Sequence, residues 1–176
     1  MVKTSPMKIK LSIFVTLLTL SITAQNPVKE KLSWMIGDWS GGGWVSQGPG
    51  TEASFNQTES ISWGAGETVI IIKGQGTDPE SGEVNFEAAG MIYYEPKDQS
   101  FHMHSFTDEM GGVIADLQVT GDNKAEWGFD VPGGHIVYKI VASSGKWKER
   151  GYFSPDGTDQ EYPMFEMTAQ RTATGK

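Results

Sequence analysis

Cysteine is absent from this chain of 176 residues. That excludes disulfides, thiolate nucleophiles and the cysteine-rich zinc and iron–sulfur sites. An exported protein built this way depends on its core alone for stability. Positive charge is also scarce: 14 Lys and Arg against 22 Asp and Glu leave a formal net charge of -8. An acidic surface argues against nucleic acid and against anionic membrane surfaces as partners. There is no Gly-x-Ser-x-Gly elbow, no phosphate loop and no His-Glu-x-x-His. Gly41-Gly42-Gly43 is not a phosphate cradle, because no helical pattern follows it. Only three histidines occur, at 102, 104 and 135.

Glycine and aromatics are plentiful: 22 Gly, six Trp, five Tyr and eight Phe. Many turns and many aromatics point to short strands rather than long helices. The first stretch stands apart. Basic residues at Lys8 and Lys10 precede a mostly apolar run from Leu11 to Ile22, which has the build of a secretory signal peptide. The run is short for a membrane span, which needs roughly 20 apolar residues. Residues 1–24 are therefore expected to be removed after Ala24, and residues 25–176 to form one domain outside the cytoplasm, in the periplasm or secreted. Met7 offers an alternative start.

From Pro27 to Ser33 the pattern suggests a lead-in with a helical turn. Beyond it, apolar residues recur with period two between turn signals. Strands are expected at 39–46, 53–63, 68–75, 84–94, 100–107, 113–119, 124–130, 135–142, 146–154 and 162–171. Their connectors are rich in Gly, Pro, Asn and Asp, such as Gly121-Asp122-Asn123 and Ser143-Ser144-Gly145. About ten strands joined by hairpins predict an all-β fold, an up-and-down antiparallel barrel whose closure removes its edges. A two-sheet sandwich is the competing architecture.

Leu32-x-x-x-x-Gly37-x-Trp39 opening the first strand resembles the calycin superfamily of lipocalins and fatty-acid-binding proteins. Gly90-x-x-x-Tyr94, Ser100-Phe101 and the closing Phe165-Glu166-Met167-Thr168 are more similar to small bacterial lipocalin-like proteins grouped as a domain of unknown function. The resemblance covers nearly all of the mature chain. It implies that Trp39 packs at the barrel floor beneath Arg171, a structural closure contact without a ligand role. The related nitrobindins hold haem through a histidine near the C-terminus. This chain has none after His135, so haem is not expected, nor any other cofactor or metal.

Candidate site residues come from the strand alternation. On the second strand Phe55, Gln57, Glu59, Ile61 and Trp63 share one face, with small or polar residues on the other. Glu149 similarly alternates with Trp147, Gly151 and Phe153. An inward carboxylate must be paired or its pKa rises. His102 and His104 share a face with Phe106, and two imidazoles enter the cavity if that face points inward. The expected lining is Phe55, Gln57, Glu59, Trp63, His102, His104, Trp127, Tyr138 and Glu149. An interior without Lys, and without Arg other than the floor residue, disfavours a fatty-acid carboxylate. The leading expectation is a binding barrel for a small, largely apolar molecule that is neutral or amine-bearing. Two alternatives stay open: a metal-dependent or acid–base enzyme using His102, His104 and a carboxylate, and a filled barrel acting as an interaction module. Homodimerisation through an outer sheet face is compatible with all three.

Overall fold

The computed structural model describes residues 26–108 and 111–172, so the expected export segment, 1–24, lies outside the described residues. One short helix, α1 (Pro27–Leu32), and a 3-10 turn (Ser33–Met35) precede ten strands. These are β1 (Gly37–Gly48), β2 (Thr51–Gly64), β3 (Val69–Thr77), β4 (Val84–Glu95), β5 (Ser100–Thr107), β6 (Gly111–Gly121), β7 (Lys124–Val131), β8 (Gly134–Ser143), β9 (Lys146–Pro155) and β10 (Tyr162–Arg171). Each strand pairs antiparallel with its sequence neighbours, and β1 pairs with β10 to close the barrel. This is the all-β, lipocalin-like up-and-down barrel expected, and the sandwich is excluded. Two-residue hairpins tighten the meander. Ser144 and Gly145, at φ 50° and 75°, join β8 to β9 in the twist sense that hairpins favour.

Helix α1 plugs one end of the barrel. Pro27 starts it, and the Asn26 side chain accepts a hydrogen bond from the Lys29 amide at 3.1 Å. Asn26 also donates to the Glu67 carbonyl at 2.9 Å, which ties the helix to the β2–β3 turn. Val28, Leu32 and Met35 are buried, as are Ile61, Ile70, Ile92, Leu117, Ala125, Ile140 and Trp147. Apolar burial of this kind contributes about 25 cal/mol per Å² and is the main stabilising term of the lower half.

The floor is a tryptophan cluster. Trp39 and Trp147 meet edge to face at 5.4 Å, and Trp34 lies 5.6 Å from Trp147. The buried Trp39 indole donates to the Met35 carbonyl at 2.9 Å. The Arg171 guanidinium stacks 4.2 Å from the Trp39 ring centre. It also donates to the carbonyls of Ile36 and, at 2.9 Å, of Trp34. One planar cation thus joins the last strand, the first strand and the plug. Arg171→Ala should lower stability by about 1–3 kcal/mol, from the cation–π contact plus two charged hydrogen bonds. Denaturant titration checks this. Arg171→Lys should recover less than half of the loss, because an ammonium cannot reproduce the fork.

Strand register decides what faces inward. Pairing of Met103 with Ile92 and Ala115, all buried, turns Phe101, Met103 and Ser105 into the barrel. His102, His104 and Phe106 therefore face out, and Phe106 is 54% exposed. The expectation that the histidine pair lines the cavity is corrected by this register.

Candidate functional site

The barrel interior changes character from floor to mouth. Floor side chains are sealed, whereas Phe55, Trp127, Phe129, Phe153 and Phe165 are only partly buried although they point inward. The upper interior is thus accessible and the lower interior is packed.

Two carboxyls stand where these regions meet. Glu59 on β2 lies between Trp39 of β1 and Gly74 of β3 in the register. Gly74 leaves room for this carboxyl: a Cβ there would come within 2.7 and 2.9 Å of its two oxygens, so Glu59 would have to shift. The buried Gln57 amide donates to Glu59 Oε1 at 2.7 Å. Glu59 Oε2 is buried and has no hydrogen-bond partner. Leaving a buried polar atom unpaired costs about 1–3 kcal/mol, more if it is charged. Burial pushes the Glu59 pKa up to about 7, and the Gln57 bond offsets only part of that.

Glu149 on β9 is better served. Its Oε2 accepts from the Trp147 indole at 3.1 Å, and its Oε1 makes a long bond of 3.4 Å with the Trp127 indole. Burial is still the main influence, followed by the Glu59 charge, and together they raise the Glu149 pKa to about 7. The Tyr138 phenol is pushed up to about 12 by burial and then by Glu149.

Aromatic faces form the walls beside these carboxyls. Trp127 stacks on Tyr138 at 4.5 Å, and Phe55 stacks on Phe165 at 5.5 Å. Tyr138 meets Phe165 edge to face at 5.7 Å, which links the two pairs. Gly151 makes room for them, since a Cβ there would press on both the Tyr138 ring and Phe165.

Of the residues expected to line a cavity, Phe55, Gln57, Glu59, Trp127, Tyr138 and Glu149 lie in this interior. Trp63 also faces inward but belongs to the lower end, opposite buried Ile70. Trp147 and Phe165, which were not among the expected lining residues, supply an indole donor and a wall of the site. Their period-two placement marked them as inward, but only the register puts them beside Glu149.

On the outer surface, His102 Nδ1 lies 3.1 Å from Asp116, and Nε2 lies 2.8 Å from Ser100 and 3.3 Å from Asp98. The Ser100 hydroxyl is 2.6 Å from Asp98, so a carboxylate competes with the imidazole for its proton. His104 lies 3.5 Å from the Tyr93 hydroxyl. Among the described residues no group of three or more His, Asp and Glu is placed to hold a metal ion. The histidines and the interior carboxyls are thus on opposite sides of the wall and do not assemble into one centre. A concavity of about 720 Å³ crosses the outer face of β1–β5, past Thr58, Lys73, Gln75 and Glu87. Trp39, Glu59, Ala88 and Phe106 also line it, so it runs along the strands that carry the Glu59 carboxyl.

No protein-family model matches the sequence, and no curated protein matches it. Solved structures do match the fold. The crystal structure of Rv2717c from M. tuberculosis is similar with a TM-score of 0.63 and 12% identity, over 84% of this chain and 98% of that one. The S-type phycobiliprotein lyase CPES from Guillardia theta is similar with a TM-score of 0.58 and 10% identity, over 85% of this chain and 94% of that one. These likenesses and the closed ten-stranded barrel give a calycin-like fold.

Proposed function

We propose that the upper barrel interior binds a small, largely apolar molecule that carries a hydrogen-bond donor. The carrying observation is Glu59 Oε2, a buried acceptor without a partner in an accessible, aromatic-walled interior. The molecule's body would lie against Phe55, Trp127, Tyr138 and Phe165, and its donor at Glu59. Apolar walls with a few convergent polar groups are the usual make-up of a small-molecule site. The shared barrel with a phycobiliprotein lyase is compatible with this reading, but the ligand chemistry comes from the residues here. The reading is of binding rather than catalysis, in a protein exported through residues 1–24 and related to the bacterial lipocalin-like family.

The test uses the chain from Gln25 onward and 1-naphthylmethanol, a neutral probe with an apolar body and one hydroxyl donor. Trp127 and Trp147 report on the site, so binding should quench tryptophan fluorescence saturably. Glu59→Leu should weaken that binding about tenfold, the effect of one hydrogen bond to a carboxyl group. His102→Ala, outside the barrel, should leave it unchanged. No saturable quenching, or equal binding by Glu59→Leu, overturns the proposal.

A further inference from the structure

We infer that Glu59 and Glu149 together form a receptor for a protonated amine, whose single positive charge sits between the two carboxyls. The inference rests on interior binding as proposed above and names the chemical class of the ligand.

Among the described residues, no lysine, arginine or histidine side chain faces this part of the interior. Lys73 and Arg150 are exposed, Lys139 and Lys148 pair with Glu161 and Glu166, and the histidines face outward. Arg171 lies at the floor, stacked on Trp39. Two carboxyls thus share a poorly solvated space with no internal counter-charge, and the Glu59 charge disfavours ionisation of Glu149. The wall between β2 and β9 is made by β1 and β10. In this part of the wall β1 contributes Gly41 and Gly43, which carry no side chain, and β10 contributes Ala169 and Met167 opposite them.

A ligand ammonium resolves what the protein leaves open. It carries up to three donors, enough for the unpaired Glu59 Oε2 and for Glu149 Oε1, whose indole bond is long. The stacked Trp127–Tyr138 and Phe55–Phe165 pairs offer aromatic faces, which attract cations. A metal ion fits less well, because two carboxyls are too few ligands for a site held by protein groups. An anion meets two acids and no cation.

Proton linkage gives the inference a second readout. The groups facing the pair are Gln57 from β2, the Trp127 indole from β7, Tyr138 from β8 and the Trp147 indole from β9. Of these only Tyr138 titrates, and it does so well above neutrality. Below pH 6 the carboxyls are largely protonated, so an amine must displace their protons to bind; above pH 8 it need not.

The test compares 1-naphthylmethylamine with its neutral isostere 1-naphthylmethanol by calorimetry at pH 5.5 and pH 8. The amine should bind at least tenfold more tightly than the alcohol at pH 8, and its advantage should shrink at pH 5.5. Glu59→Gln and Glu149→Gln should each weaken the amine about tenfold or more while changing the alcohol less than threefold. Retained alcohol binding shows that each variant is folded. An amine that binds no better than the alcohol, or that ignores both substitutions, overturns the amine receptor and leaves interior binding standing. If neither probe binds, interior binding fails and this inference with it.

Discussion

Glu59→Gln combined with Glu149→Gln is expected to raise the stability of the protein at pH 8 and to flatten its dependence on pH between about 5 and 8. In the native chain both carboxyls titrate near 7, against a reference value of 4.5. Between those values the native protein holds protons that the unfolded chain has released. Stability therefore falls as pH rises through this window. The favourable contribution is complete below about pH 4.5 and is lost by the time pH has passed 7. The two groups repel, so they titrate as a pair, with the second ionisation harder than the first. The loss across the window is on the order of a few kcal/mol, since each pKa unit corresponds to about 1.4 kcal/mol. Asp78, Asp98 and Glu166 act in the opposite sense at lower pH. Hydrogen bonds from the Ser81 amide, the Ser100 hydroxyl and Arg150, respectively, are the largest influences holding their pKa values down. Their contribution is lost as pH falls below the ordinary carboxylate range. Maximum stability is thus expected near pH 5. Denaturant titrations at pH 5, 6.5 and 8 measure this directly. A wild-type stability that rises from pH 5 to pH 8, or a double variant with the same slope, would sink the assignment of these two acids as buried and unpaired by any cation.

Gly43→Ala is expected to destabilise the barrel by about 3 kcal/mol or more, at the upper end of what overpacking does. The reason is the seam at which β1 meets β10. Gly43 lies opposite Met167, and a Cβ on it would overlap the Glu166 carbonyl oxygen. That oxygen belongs to backbone and cannot rotate away as a side chain would. The alanine must push β1 off β10, and the seam is the pairing that closes the ring of strands. Gly121→Ala is the control. A Cβ there meets only the Lys124 side chain at 3.7 Å, so the change should be within about 0.5 kcal/mol. Urea unfolding of both variants tests the contrast. Equal, small effects would show that the β1–β10 seam tolerates a side chain.

Much of the architecture was legible in residue pattern, and β2 shows why. Its apolar and polar faces separate cleanly, so the inward set and the anomalous Glu59 stand out without coordinates. β5 shows the limit. Phe101, Met103 and Ser105 alternate with His102, His104 and Phe106, and each set mixes apolar with polar residues. Parity along that strand is ambiguous, and an aromatic at 106 favours the wrong face. Only the neighbours decide, because Ile92 and Ala115 turn Met103 inward.

The floor tryptophan with its arginine was implied by the family resemblance, while the chain's own pattern of alternation and turn residues determined ten antiparallel strands, their order, and two acids on inward faces. These are local properties, set by period-two side chains and by turns that only Gly, Asn and their like make easily. Tertiary structure decided what stands beside what. Closure brought β9 and β2 within reach across β1 and β10, set two indole donors on Glu149 and none on Glu59 Oε2, and left the histidines outside. Strands far apart in sequence become neighbours only when the sheet closes, so their mutual fields, and the unmet hydrogen bond that defines the site, exist only in the folded barrel.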